Sequence, residues 1–181
     1  MRRAEFEHVI AAAANVTGQD EFVVIGSQAI LGTHPDAPKT MLMSLEVDIY
    51  PRERPELVDE IDVALGDGSQ FHVTFGYYAH GVGPETAKAP AGWEQRLVRV
   101  AVPPRVGSER APVAWCLDVA DLVLSKCAAG RARDWDYARA ALAAGVVGGN
   151  VLLERVGDLP LNETGRKHVE SILRTIIAKA E

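Results

Sequence analysis

Apolar residues return every three or four positions from Ala4 to Val16, with Phe6, Val9, Ile10 and Ala13 on one face, and predict a first helix. The next apolar stretch is continuous. Glu21 to Ile25 reads as a buried strand, and Ser27 to Gly32 as a short helix ended by Gly32 and His34-Pro35. A polar loop over His34 to Lys39 leads into Met41 to Tyr50, where polar and apolar positions alternate until Pro51. Alternation puts Leu45, Val47 and Ile49 on a core face and Glu46 and Asp48 together on the other. Glu56 to Leu65 is helical, with Leu57, Ile61 and Leu65 on one side, and Gly66-Asp67-Gly68 turns the chain.

Phe71 to Tyr78 and Glu94 to Val102 alternate like strands, flanking a Gly- and Pro-rich loop from Gly81 to Gly92. Pro103 to Pro112 is a turn-rich connection. Asp118 is placed to cap a helix that runs to about Ala129, and Gly130 to end it. Arg133 to Ala144 and Val151 to Val156 are further helices. Thr164 to Ala180 is the last, with Val169, Ile172, Leu173, Ile176 and Ile177 as its apolar stripe. The pattern predicts an α+β fold: a mixed sheet with flanking helices over 1–116, and a helical part over 117–181 packed on it as one compact unit.

A chain of 181 residues, 48% hydrophobic, is long enough to bury a proper core. No apolar run approaches the roughly 20 residues of a membrane span, and the start has no signal-peptide core, so a cytoplasmic protein with no membrane partner is expected. Cys116 and Cys127 have neither zinc nor redox-pair spacing, and Cys127 reads as a small buried residue. The net charge of −6 argues against a broad basic surface for nucleic acid, so an RNA would need a local patch. Arg96, Arg99, Arg105 and Arg110 form one basic cluster, read as solvated surface charge. Lys126, Arg131, Arg133 and Arg139 form another.

Chemistry concentrates in two segments. Glu46 and Asp48 share a strand face, and adjacent carboxylates repel; a divalent cation is one natural remedy, which makes them the candidate metal ligands. About twenty residues earlier, Phe22 to Ser27 is an apolar strand ending in Gly26-Ser27. Such a turn brings backbone N–H groups and a hydroxyl to a helix start, where phosphates bind. Tyr77, Tyr78 and Trp93 offer rings on which a base could stack but read mainly as packing residues, and His34 and His80, without metal-ligand spacing, read as loop residues.

A hydrophobic strand, Gly-Ser and an acid-x-acid strand resemble the minimal nucleotidyltransferase superfamily. The runs Tyr77 to Thr86, Pro90 to Val98, Leu117 to Lys126 and Ala129 to Asp134 are similar to the DUF6036 group, related to the AbiEii and MenT toxins. The resemblance spans about Phe22 to Leu142. It implies a magnesium-dependent transfer of a nucleoside monophosphate from a nucleoside triphosphate to an acceptor hydroxyl. It also implies a toxin of a toxin–antitoxin pair that acts on tRNA beside a cognate antitoxin. In the family pattern Lys126 reaches the triphosphate and Arg131 and Asp134 complete the set. Asp134 either serves as an acid near the nucleophile or pairs with Arg131 and caps its helix, with Asp136 as a weaker substitute. Glu46 departs from the aspartate usual in the family. A rival reading is a non-catalytic protein on the same fold that binds a nucleotide or a partner.

Overall fold

The structure is a computed structural model that describes residues 1–104 and 110–180. Helix α1 (Arg3–Thr17) buries Phe6, Val9, Ile10 and Ala13 completely, and Gly18 ends it in the left-handed conformation at φ 68°. Strands β1 (Glu21–Val24), β2 (Glu46–Pro51), β3 (Tyr78–Gly81), β4 (Val98–Ala101) and β5 (Val113–Cys116) form one mixed sheet in the order β3-β2-β1-β5-β4. The pair β1/β2 is antiparallel and β2/β3 parallel, while β1/β5 is parallel and β4/β5 antiparallel. The central strands are the apolar ones, as a sheet covered on both faces requires: Phe22, Val24, Ala114 and Cys116 are fully buried.

Helices α2 (Val58–Leu65) and α3 (Gln70–Phe75) precede β3, and α4 (Val119–Ala129), α5 (Ala132–Ala143), α6 (Gly149–Arg155) and α7 (Glu163–Ala180) follow the sheet. The caps of α4 are the expected ones. Asp118 accepts a hydrogen bond from the Ala120 N–H at 3.1 Å, and Gly130 closes the helix at φ 71°. Val169 and Leu173 of α7 are buried, as its stripe requires. No helix among the described residues is long and apolar enough to cross a membrane.

Several expectations are corrected. Residues 71–75 are helical, not extended: Ser69 caps α3 by accepting from the His72 N–H, and Gly76 ends it at φ 76°. Phe71 and Phe75, four apart, share a helix face and close on His8 and Tyr77, with ring centroids 4.5–6.0 Å apart. The alternation Phe71-x-Val73-x-Phe75 fitted a strand equally well. Strand β2 begins at Glu46 instead of Met41, which sits in a short 3₁₀ turn, and Leu45 is 53% exposed rather than in the core. Residues 93–96 form another 3₁₀ turn ahead of β4, and Val113–Cys116, a stretch whose pattern predicts no strand, forms β5.

Arg96 is not a solvated surface charge. Its guanidinium donates to both carboxylate oxygens of Asp121, at 2.7 and 3.2 Å, and to the carbonyls of Pro90 and Ala91. Asp121 is wholly buried on α4 and also takes Arg155 at 3.1 Å, so the pair clamps the 90–96 loop and α6 onto α4. Arg110 pairs with Asp20, Arg99 is exposed, and Arg105 lies outside the described residues.

Candidate nucleotide and metal site

The site is built at one end of β1 and β2. Antiparallel pairing sets Val24 opposite Ile49, and the Ile25 N–H continues the ladder to the Asp48 carbonyl at 3.1 Å. The next residue, Gly26, therefore lies directly under the Asp48 side chain. A Cβ on Gly26 would stand 1.7 Å from Asp48 Oδ2 and 2.6 Å from its Cγ. Glycine is required there for space and not for conformation, since its φ of −81° suits any residue. The chain then turns into the 3₁₀ segment Ser27–Gly32.

Along β2, Val47 and Ile49 are fully buried and Glu46 and Asp48 emerge together on the opposite, half-buried face. Parallel pairing with β3 sets Tyr78 beside Glu46 and His80 beside Asp48. Tyr78 Oη donates to Glu46 Oε2 at 3.0 Å, and His80 Nδ1 lies 2.9 Å from Asp48 Oδ1. Donor atoms of Glu46, Asp48 and His80 all fall within 4.8 Å of one another, a set that could hold a metal ion. Tyr78 is thus a partner of Glu46 and not simply a packing residue. His80, read as a loop residue, stands in the acid cluster. Its only signal was the register of two strands 32 residues apart.

Electrostatics mark this face as costly. Burial pushes the Asp48 carboxyl above its ordinary pKa; the His80 hydrogen bond opposes that, and Glu46 adds to it. For His80, burial works downward but the bond and charge of Asp48 outweigh it, so the imidazole sits above its ordinary value. Burial also lifts Tyr78 to about 12, with Glu46 contributing. Two adjacent acids, of which Asp48 is already disfavoured by desolvation, are a donor set that a divalent cation would relieve.

Opposite these acids stands Lys126, near the end of α4. Its Nζ donates to Ser27 Oγ at 2.7 Å, lies 4.6 Å from the centre of the Tyr137 ring, and is 3.9 Å from Asp134 Oδ1. Tyr137 itself donates to the Ser27 carbonyl at 3.3 Å. Burial lowers the Lys126 pKa, and the Asp134 charge partly restores it. Asp134 is 1% exposed and accepts from the Arg131 backbone N–H at 3.2 Å and from its Nε at 2.7 Å. This is the geometry of the capping alternative for Asp134: it starts α5 and holds Arg131 and Lys126. Arg131 remains more than half exposed, and the charges of Glu46 and Asp48 reach it. Asp136 pairs with Arg139 on the surface.

The sequence-predicted residues Gly26, Ser27, Glu46, Asp48, Lys126, Arg131 and Asp134 therefore share one region, with acids on β2 facing cations from the α4–α5 corner. A family model described as "Nucleotidyltransferase of unknown function (DUF6036)" matches residues 4–170, from α1 into α7. No curated protein and no solved structure matches the chain.

Proposed function

The chain belongs to the DUF6036 family of nucleotidyltransferases, and from that premise we propose that it moves a nucleoside monophosphate from a nucleoside triphosphate to an acceptor hydroxyl. The acceptor oxygen bonds to the α-phosphorus, the bond to the β-phosphate oxygen breaks, and pyrophosphate leaves. The observation that carries this reading is the 2.7 Å bond from Lys126 to Ser27, which sets a cation beside the Gly-Ser turn and across from Asp48.

In this reading Gly26 and Ser27 receive the phosphates, and Lys126 and Arg131 offset the charge of the triphosphate. Asp134 positions both cations. Glu46 and Asp48 would hold a divalent cation such as magnesium, which when bound neutralises phosphate charge and polarises the phosphoryl group. Positioning and charge placement supply most of the rate enhancement. The finer reading is a toxin that modifies tRNA and is restrained by an antitoxin. It rests on the sequence resemblance to the AbiEii and MenT proteins.

A second reading, nucleotide binding without turnover, is favoured by Glu46. Its longer side chain stands where the family pattern has aspartate, and Tyr78 ties it. One experiment separates the two. The protein is incubated with magnesium or manganese, each α-labelled triphosphate, and total RNA or whole-cell protein. Label transfer that disappears in Asp48→Asn supports transfer. Nucleotide binding with neither label transfer nor pyrophosphate release supports the binding protein.

A further inference from the structure

The register of β2 and β3 sets His80 directly opposite Asp48, on the sheet face that carries both acids. Its Nδ1 is 2.9 Å from Asp48 Oδ1, and its side chain is half exposed, so an ion can reach it from solvent. Around an octahedral ion with bonds of about 2.0–2.1 Å, adjacent ligand atoms stand roughly 3 Å apart and opposite ones roughly 4 Å. The His80–Asp48 separation is that of a hydrogen bond in the metal-free site and equals that of adjacent ligands, so an ion would take the place of the shared proton with little movement of either side chain. The whole set, with Glu46, lies within 4.8 Å, an outer limit slightly wider than such an ion spans, so the Glu46 side chain would close by less than about 1 Å on binding. Tyr78 holds Glu46 by one oxygen, which orients its carboxylate in the manner of an outer partner of a metal ligand.

Magnesium takes hard oxygen ligands, and an imidazole nitrogen is a poor exchange for one of them. First-row transition ions accept nitrogen, with affinity rising from manganese through cobalt. We propose that His80 is the third protein ligand of the metal held by Glu46 and Asp48, and that its nitrogen shifts the site from magnesium toward a first-row transition ion. The inference deepens the nucleotidyltransferase reading by naming the ion class that the same site takes.

The test needs no turnover. Manganese, cobalt and magnesium are titrated calorimetrically into the wild-type protein, His80→Ala and His80→Asp, each verified as folded by its melting curve. Pulsed electron paramagnetic resonance is recorded on the manganese-loaded forms. Wild type is expected to prefer manganese over magnesium and to show nitrogen coupling from a bound imidazole. His80→Ala should lose that coupling and at least about tenfold in manganese affinity, the least that losing even an outer partner of a metal site costs. His80→Asp should bind both ions and narrow the difference between them. No nitrogen coupling in the wild type, or the same manganese-to-magnesium ratio in wild type and His80→Asp, overturns the proposal. Label transfer supported by magnesium alone, in a protein without that coupling, would overturn it while leaving the transferase reading intact.

Discussion

Replacing Gly26 by alanine tests whether the Gly26-Ser27 turn and the acid strand form one device. The backbone at Gly26, φ −81° and ψ −169°, is open to alanine, so the variant carries no conformational penalty. Its Cβ would stand 1.7 Å from Asp48 Oδ2 and 2.9 Å from Asp48 Cβ. An ordinary contact begins near 3.4 Å, so the carboxylate must retreat by about 1.7 Å, and rotation alone does not clear the Asp48 Cβ. Overpacking of this kind costs about 1–3 kcal/mol. For a chain of 181 residues that lowers the melting temperature by about 2–12 °C. If Asp48 is a metal ligand, as proposed, the loss of metal affinity should be larger, because ligand distances in metal sites hold to within about 0.2 Å. Urea denaturation and manganese titration of the variant measure both. Gly157→Ala is the control, since nothing lies within 4 Å of its new Cβ. Adding Asp48→Ala to Gly26→Ala should recover part of the lost stability, a non-additivity expected of touching residues. If Gly26→Ala matched the wild type in both stability and metal affinity, the close approach of Asp48 to Gly26 would be wrong.

Three further outcomes follow from the same geometry. Lys126→Met should lose about 1.5–3 kcal/mol of triphosphate binding, roughly 10–100-fold in Kd by fluorescent nucleotide titration. Its melting temperature should not fall, because burial already disfavours the charged amine. Asp48 has its folded pKa raised by burial, so its contribution to stability is greatest below its unfolded pKa and is lost as pH rises through the folded value. Asp48→Asn should therefore be more stable than wild type at pH 7 without metal, and the difference should shrink as pH falls toward 4; equal melting temperatures across that range would contradict it. Arg96→Met leaves the buried Asp121 with Arg155 alone and should cost about 3 kcal/mol by urea denaturation, the lower end for breaking a buried ion pair.

Periodicity made α1, α4, α5 and α7 legible, since each carries an apolar stripe or a cap that names its ends. The Gly26-Ser27 turn and the Glu46–Asp48 face were legible for the same reason: local alternation fixes which way neighbouring side chains point. What stayed hidden depended on partners distant in sequence. His80 gains its place only through the register of β3 against β2, and Arg96 only through Asp121, 25 residues away. The segment 71–75 misled because phenylalanines four apart satisfy a strand's alternation as readily as a helix face. Strand β5 was overlooked because four residues, Val113 to Cys116, carry too little pattern to stand out beside a turn-rich connection.

The bond between Lys126 and Ser27 joins positions 99 residues apart. It bears on timing during synthesis. A growing chain that has reached Cys116 already holds the turn and both acids of β2, yet has neither Lys126 nor Arg131 and no α4 to seat them. On the proposed reading, a triphosphate would be gripped only once the α4–α5 corner has docked, a closure across 99 residues. Truncated chains ending before that corner should, on that reading, fail to bind a triphosphate.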